Sequence, residues 1–157
     1  MKGASRAFWD ATSARGLHPL TWLGLFYRDT IFSFPESKHP GVAGHVALTI
    51  DDGICRQRAE CSLADEVRAL LLEYGAKATF FVCSEYVKGF EEQAKHFVQD
   101  GHELANHMTE DRGDYFTMAT PKFESLLADS TRLLNSLSGP TSFGGFEKVR
   151  WFRAPQV

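Results

Sequence analysis

Cysteine is scarce and odd in number. Cys55, Cys61 and Cys83 are the only three in 157 residues, and no two stand in a CxxC spacing. That excludes a disulfide framework or thiolate metal cluster as the organising device. It predicts reduced, partly buried thiols, as in a cytosolic-type compartment. Long apolar runs are missing too. The most apolar early stretch, LTWLGLFY from Leu20 to Tyr27, ends in Arg28 and Asp29. It falls short of the roughly 18 consecutive apolar residues of a membrane span. The amino terminus, MKGASRAFWDATSARG, has no apolar centre and is interrupted by Asp10, so it does not read as a secretory signal. Its arginine and serine make at most a weak organelle-targeting segment, and a cytoplasmic location is the default. Nor is there an excess of positive charge. Lys and Arg number 17 against 20 Asp and Glu, for a formal net charge of −3, so nothing electrostatic points to nucleic acid as a partner.

What is present is a globular composition, 43% hydrophobic with 13 Phe and 13 Gly, enough for one domain with a core. Residues 1–44 are punctuated by Gly16, Pro19, Pro35, Pro40, Gly41 and Gly44 and read as an N-terminal extension of short helices and loop. From His45 the pattern sharpens. HVALTIDD sets Val46, Leu48 and Ile50 on one face of a strand that Gly53 ends. Ser62 and Asp65 suggest a helix start, Leu63, Val67, Leu70 and Leu71 recur at helical spacing, and Gly75 suits a C-cap. KATFFVCS (77–84) reads as a strand, YVKGFEEQAKHFVQDG (86–101) as a helix and HELANH (102–107) as a short strand. Thr120-Pro121 opens a helix with Phe123, Leu126, Leu127, Leu133, Leu134 and Leu137 as its apolar stripe, closed by Gly139-Pro140. KVRWFRAP (148–155) supplies a fourth strand. The rhythm β-α-β-α-β-α-β predicts parallel strands joined by helices.

In such folds chemistry collects at the carboxyl ends of strands. Asp51-Asp52, His107 and Arg153 all lie at such ends. Adjacent carboxylates raise each other's pKa, so the Asp-Asp pair implies a nearby cation or a proton held during a reaction. In NHMTED (106–111), His107 and Asp111 stand four apart and, on a helical turn, project to the same side. With Asp52 they make a three-ligand divalent-metal site with room for water. Glu110 and Asp114 are rivals for the place of Asp111.

These residues give the chain its resemblance to the NodB-like polysaccharide deacetylases, carbohydrate esterase family 4. The family's T-F-D-D-G appears as Thr49-Ile50-Asp51-Asp52-Gly53. Its histidine motif appears as Gly101-His102-Glu103-Leu104-Ala105-Asn106-His107 running on to Asp111, and its R-x-P segment as Arg153-Ala154-Pro155. AKATFFV (76–82) is similar to the family's second strand. The resemblance implies a distorted (β/α) barrel over residues 45–157, and metal-assisted removal of N-acetyl groups from amino-sugar glycans. It also implies the roles. Asp52, His107 and Asp111 hold a divalent ion, zinc first, with cobalt or manganese as alternatives. Asp51 is the general base, Arg153 holds Asp51, and the backbone N–H of Gln156 helps stabilise the oxyanion.

Two departures from the family pattern stand out. Asp111 occupies the place of the second metal histidine, which shifts preference toward oxygen-loving ions. The chain also ends at Val157, ahead of the motif that supplies the family's general acid and short of the roughly 200 residues of a complete barrel. The expectation is the N-terminal part of a deacetylase domain, truncated after the fourth strand, with an open strand edge for an oligomer to cover. A non-catalytic metal- or carbohydrate-binding remnant is the alternative. A phosphoacceptor receiver domain, which also carries an acidic pair after its first strand, needs an Asp ending the third strand, where this chain has Asn106-His107. His102 reads as structural, and His18, His39, His45 and His96 as loop or surface residues. The cysteines read as packing residues, with Cys55 alone in sequence near the acidic pair.

Overall fold

An alternating apolar segment becomes a strand only where a neighbour completes its hydrogen bonds. The computed structural model describes residues 37, 39–54, 63–138 and 149–155. The chain forms two compact units, Met1–Val46 and Ala47–Val157, and all regular elements among the described residues belong to the second. Strand β1 is Thr49–Asp51, shorter than the expected run from His45. The ladder with the next strand opens where Thr79 N–H donates to the Leu48 carbonyl. Val46 therefore stays exposed, at 89%, rather than sharing a buried face with Ile50.

Helix α1, Ala64–Glu73, turns Ala64 and Leu71 inward and leaves Leu63 and Leu70, both expected in its buried stripe, exposed. It closes on Gly75 at φ +58°. There Ala76 N–H donates to Leu71 O and Gly75 N–H to Leu72 O, the paired bonds of a left-handed glycine cap. Strand β2 is Thr79–Val82. The helix expected across residues 86–101 is two helices, α2 at Ser84–Val87 and α3 at Glu91–Gln99, separated at Gly89, whose φ of +85° no helix tolerates. Strand β3 is Glu103–Asn106. A 3₁₀ turn, Tyr115–Thr117, leads to α4, Thr120–Leu137, with Pro121 in its first turn. Of the α4 stripe, Leu134 and Leu137 are buried and the others half-buried. The Ser62 cap, Cys55, Cys61, His18, the Gly139-Pro140 stop, Gln156 and the expected N-terminal helices lie outside the described residues.

The sheet is parallel in the order β1-β2-β3, with Thr49 opposite Thr79 and Thr79 opposite Glu103. The expected fourth strand makes a single parallel bridge beside β3, from Asn106 to Phe152. On one face Phe80, Val82 and Leu104 pack with Phe97, Ala94, Val98, Leu134 and Leu137 from α3 and α4. Phe80 and Phe97 stack with centroids 4.1 Å apart. At about 1.5–3 kcal/mol for each large apolar side chain buried, this face anchors the sheet. Thr49 and Asp51, one residue on either side of Ile50, turn to the opposite face.

Candidate metal centre and its acidic neighbour

Three of the chemistry-bearing residues are fixed by backbone bonds that continue the pairing past a strand's end. Asp52 N–H donates to Phe81 O at 3.0 Å, His107 N–H to Val82 O at 3.1 Å, and Arg153 N–H to Asn106 O at 3.0 Å. Asp52 itself sits at φ +51°, a left-handed conformation that Asp tolerates better than most residues. Gly53 follows where a Cβ would lie 2.6 Å from the Phe80 ring. The turn must pass that close to the core, so only glycine fits.

The His107 ring is buried, with Nδ1 2.8 Å from the carbonyl oxygen of Arg153. A carbonyl only accepts, so Nδ1 carries the proton and Nε2 keeps its lone pair for a metal ion. The next residue, Met108, is at φ +66°. It turns the chain out of β3 into bends and irregular backbone rather than helix through Arg112. The helical turn expected to bring His107 and Asp111 together is therefore absent: a strained turn and an irregular loop do it instead.

The loop is tied down from α2. Ser84 N–H donates to Met108 O at 3.0 Å and Glu85 N–H to Thr109 O at 2.9 Å. Asp111 N–H donates to the Tyr86 hydroxyl at 2.9 Å. The result is that Asp52, His107 and Asp111 each offer a ligand atom, all within 4.8 Å of one another. The rivals of Asp111 are otherwise engaged, since Arg112 pairs with Asp114 and, at 3.6 Å, with Glu110. Burial pushes the Asp52 carboxyl above its ordinary pKa; His107 opposes the rise, Asp111 adds to it, and the Cys83 thiol, donating at 3.6 Å, opposes it. Two carboxylates and an imidazole converging from two segments, one of the carboxylates penalised for its charge, form a donor set suited to a divalent cation.

Asp51 stands outside this cluster. Arg153 Nη1 donates to its Oδ1 at 2.6 Å, while Nη2 reaches Thr49 Oγ1 at 3.2 Å. The guanidinium lies over the Phe81 ring, 4.1 Å from the centroid, a cation–π contact. His102 is buried away from the cluster, accepting the Ala78 N–H on Nδ1 at 3.3 Å, and its ring meets Phe80 edge-on. Buried Cys83 also has His107 O 3.1 Å from its Sγ, a second acceptor for the same single S–H, and burial and the Asp52 charge push its thiol pKa up.

Several supporting residues escape sequence reasoning. Asn106 Nδ2 donates to Leu127 O and Thr131 Oγ1, and its Oδ1 accepts from Met108 N–H at 2.7 Å and lies 3.1 Å from Ser130 Oγ. It joins the end of β3 to α4 and holds the Met108 turn. Phe81, Tyr86 and Tyr115 are equally silent in the sequence, where they read as ordinary aromatic packing.

Comparison with known proteins agrees with this geometry. The polysaccharide deacetylase family profile matches residues 38–156, and the chain belongs to that family. It is 25% identical over 139 residues to the peptidoglycan-N-acetylglucosamine deacetylase of Bacillus cereus, covering 88% of this chain and 43% of that protein. Its fold is similar to that of a family 4 carbohydrate esterase from Bacillus anthracis, at 23% identity and a TM-score of 0.57, over 69% of this chain and 47% of the other. It is also similar to a mutant, with restored enzymatic activity, of a Bacillus anthracis pseudoenzyme of that esterase family. There the identity is 26% and the TM-score 0.55, over 70% of this chain and 36% of the other. The fold is thus that of the distorted (β/α) barrel of these deacetylases, and the chain spans less than half the length of these relatives.

Proposed function

We propose that residues 45–157 form the N-terminal part of a deacetylase domain that hydrolyses N-acetyl groups on amino-sugar glycans. A glycan of the peptidoglycan type is the first substrate to test. The observation that carries the reading is the pairing of two sites one residue apart: the Asp52-His107-Asp111 cluster, and Asp51 beside it, held by Arg153. Asp52, Nε2 of His107 and Asp111 would hold the ion. A bound divalent ion, zinc first and cobalt or manganese as alternatives suited to the second carboxylate, lowers the pKa of water and polarises the acetyl carbonyl.

The chain's own residues then divide the remaining work. Asp51 takes the proton of the attacking water. Arg153 points that carboxylate by a charge-assisted hydrogen bond to Oδ1, leaving Oδ2 free of the guanidinium. The Arg153 carbonyl fixes the His107 ring, so a single residue orients both the base and a ligand. The backbone N–H of Gln156 is assigned to the developing oxyanion.

The test is deacetylation of N-acetylglucosamine oligomers by metal-loaded protein, compared with Asp51→Asn. Turnover that falls by about a hundredfold or more in the variant, with metal still bound, is the expected outcome for loss of a general base. A second reading, a metal- or glycan-binding remnant without turnover, is supported by the likeness to a pseudoenzyme of carbohydrate esterase family 4. Stoichiometric metal binding with no turnover by the wild-type chain would establish the remnant instead.

A further inference from the structure

The loop that carries Asp111 has no helix of its own to set the ligand's position, so its geometry must come from neighbours. Three of the bonds that fix it come from four-residue α2: the Ser84 and Glu85 amides reach the carbonyls of Met108 and Thr109, and the Tyr86 hydroxyl accepts the N–H of Asp111. The first two are backbone bonds that any side chain would permit. The third depends on one phenol. Tyr115 acts one residue earlier: its hydroxyl accepts Glu110 N–H at 3.1 Å and lies 3.0 Å from both Glu110 O and Thr109 Oγ1.

We infer that Tyr86 is the positioning residue of the metal centre, setting where the Asp111 carboxylate stands relative to Asp52 and His107. The inference rests on the metal-site reading above. A helical H-x-x-x-D places its second ligand by i, i+4 geometry. Here that constraint is replaced by a hydroxyl on another element, which accepts the Asp111 N–H directly at 2.9 Å. Removing the hydroxyl leaves the N–H of Asp111 to water and lets the loop shift, while the sheet, the core and the other two ligands stay in place. Groups that orient metal ligands typically change affinity about ten- to a hundredfold when lost.

The experiment is cobalt(II) titration of the whole chain, followed by its visible d–d absorption and by competition with a chromophoric chelator. It compares wild type, Tyr86→Phe, Asp111→Ala and His107→Ala. Tyr86→Phe is expected to weaken cobalt about ten- to a hundredfold and to move the d–d band toward that of Asp111→Ala. Its metal-free melt should stay close to that of wild type. Wild-type affinity and spectrum in Tyr86→Phe overturn the positioning role while leaving the site intact. If Asp111→Ala and His107→Ala also bind cobalt as wild type does, the metal site itself is what fails, and the positioning role fails with it. Hydrogen exchange on the unaltered chain gives a check that needs no variant, even if Tyr86→Phe does not fold. The Asp111 amide should be protected without metal, and fast exchange there overturns the inference.

Discussion

Asp51 and Asp52 are one peptide unit apart, yet the left-handed turn at Asp52 gives them different neighbours. Asp51 receives a guanidinium, and Asp52 faces an imidazole and a second carboxylate. The guanidinium in turn depends on its planar fork, which spans Asp51 and Thr49 while lying on Phe81. Lysine keeps the charge but neither the fork nor the stacking. On the proposed mechanism, Arg153→Lys should lower kcat by about tenfold or more while metal affinity stays unchanged. Steady-state kinetics beside a metal titration separates the two, and an unaltered kcat would remove Arg153 from the mechanism. His102 makes a prediction of the opposite kind, one of stability. Burial, and to a lesser degree the Lys77 charge, lower its pKa below the ordinary 6.5, with Asp100 opposing and Arg68 assisting. Between the lowered value and 6.5 the unfolded chain binds a proton that the native chain does not, so stability rises with pH there. The contribution is complete above about pH 6.5 and is lost as pH falls. Denaturant midpoints across pH 5 to 8 should show this fall, and His102→Gln should flatten it.

At the scale of elements, the turn after β1 and the junction of β3 with α4 bear most on the site. A methyl group on residue 53 meets Phe80, which is itself stacked on Phe97 and fully buried. The ring cannot swing away, so Gly53→Ala should cost about 1–3 kcal/mol, as overpacked cores do, and displace Asp52. Thermal melts with and without metal would show both losses; an unshifted melt means that the turn yields. Asn106→Ala breaks the hub to Leu127, Thr131, Ser130 and the Met108 amide. Thr131 Oγ1 still bonds Leu127 O and Ser130 Oγ still bonds Met108 O, so the cost comes mainly from the buried Met108 amide and should be about 1–3 kcal/mol. The contrast between these two residues shows what the sequence can carry. Gly53 is legible because glycine after an acidic pair has few other reasons to be there, and strand ends could be read from apolar periodicity. Asn106, Tyr86 and Phe81 act through partners far away in the chain, and no local pattern encodes a hydrogen bond from residue 111 to residue 86. Helix breaks at Gly89 and the short reach of β1 were likewise set by pairing and backbone geometry, which periodicity does not see.

For the molecule as a whole, the parallel order β1-β2-β3, continued at Phe152, brings Asp52, His107 and Arg153 to one end of the sheet. The buried cluster of His102 lies beyond its other end, where Arg68 holds Asp100 at 2.6 Å. The functional end and the stabilising end are therefore separate, and changes at one should leave the other largely intact. On the proposed mechanism the first end binds one divalent ion through Asp52, His107 and Asp111. This is tested most directly by metal stoichiometry together with thermal melts of wild type, Asp52→Ala and His107→Ala, with and without zinc, cobalt or manganese. One ion per wild-type chain is expected. Metal at a hundred times its Kd should add about 2.7 kcal/mol of stability, and both variants should lose the ion and the added stability together. A wild-type chain that binds no ion, or variants that keep the full stabilisation, would contradict it.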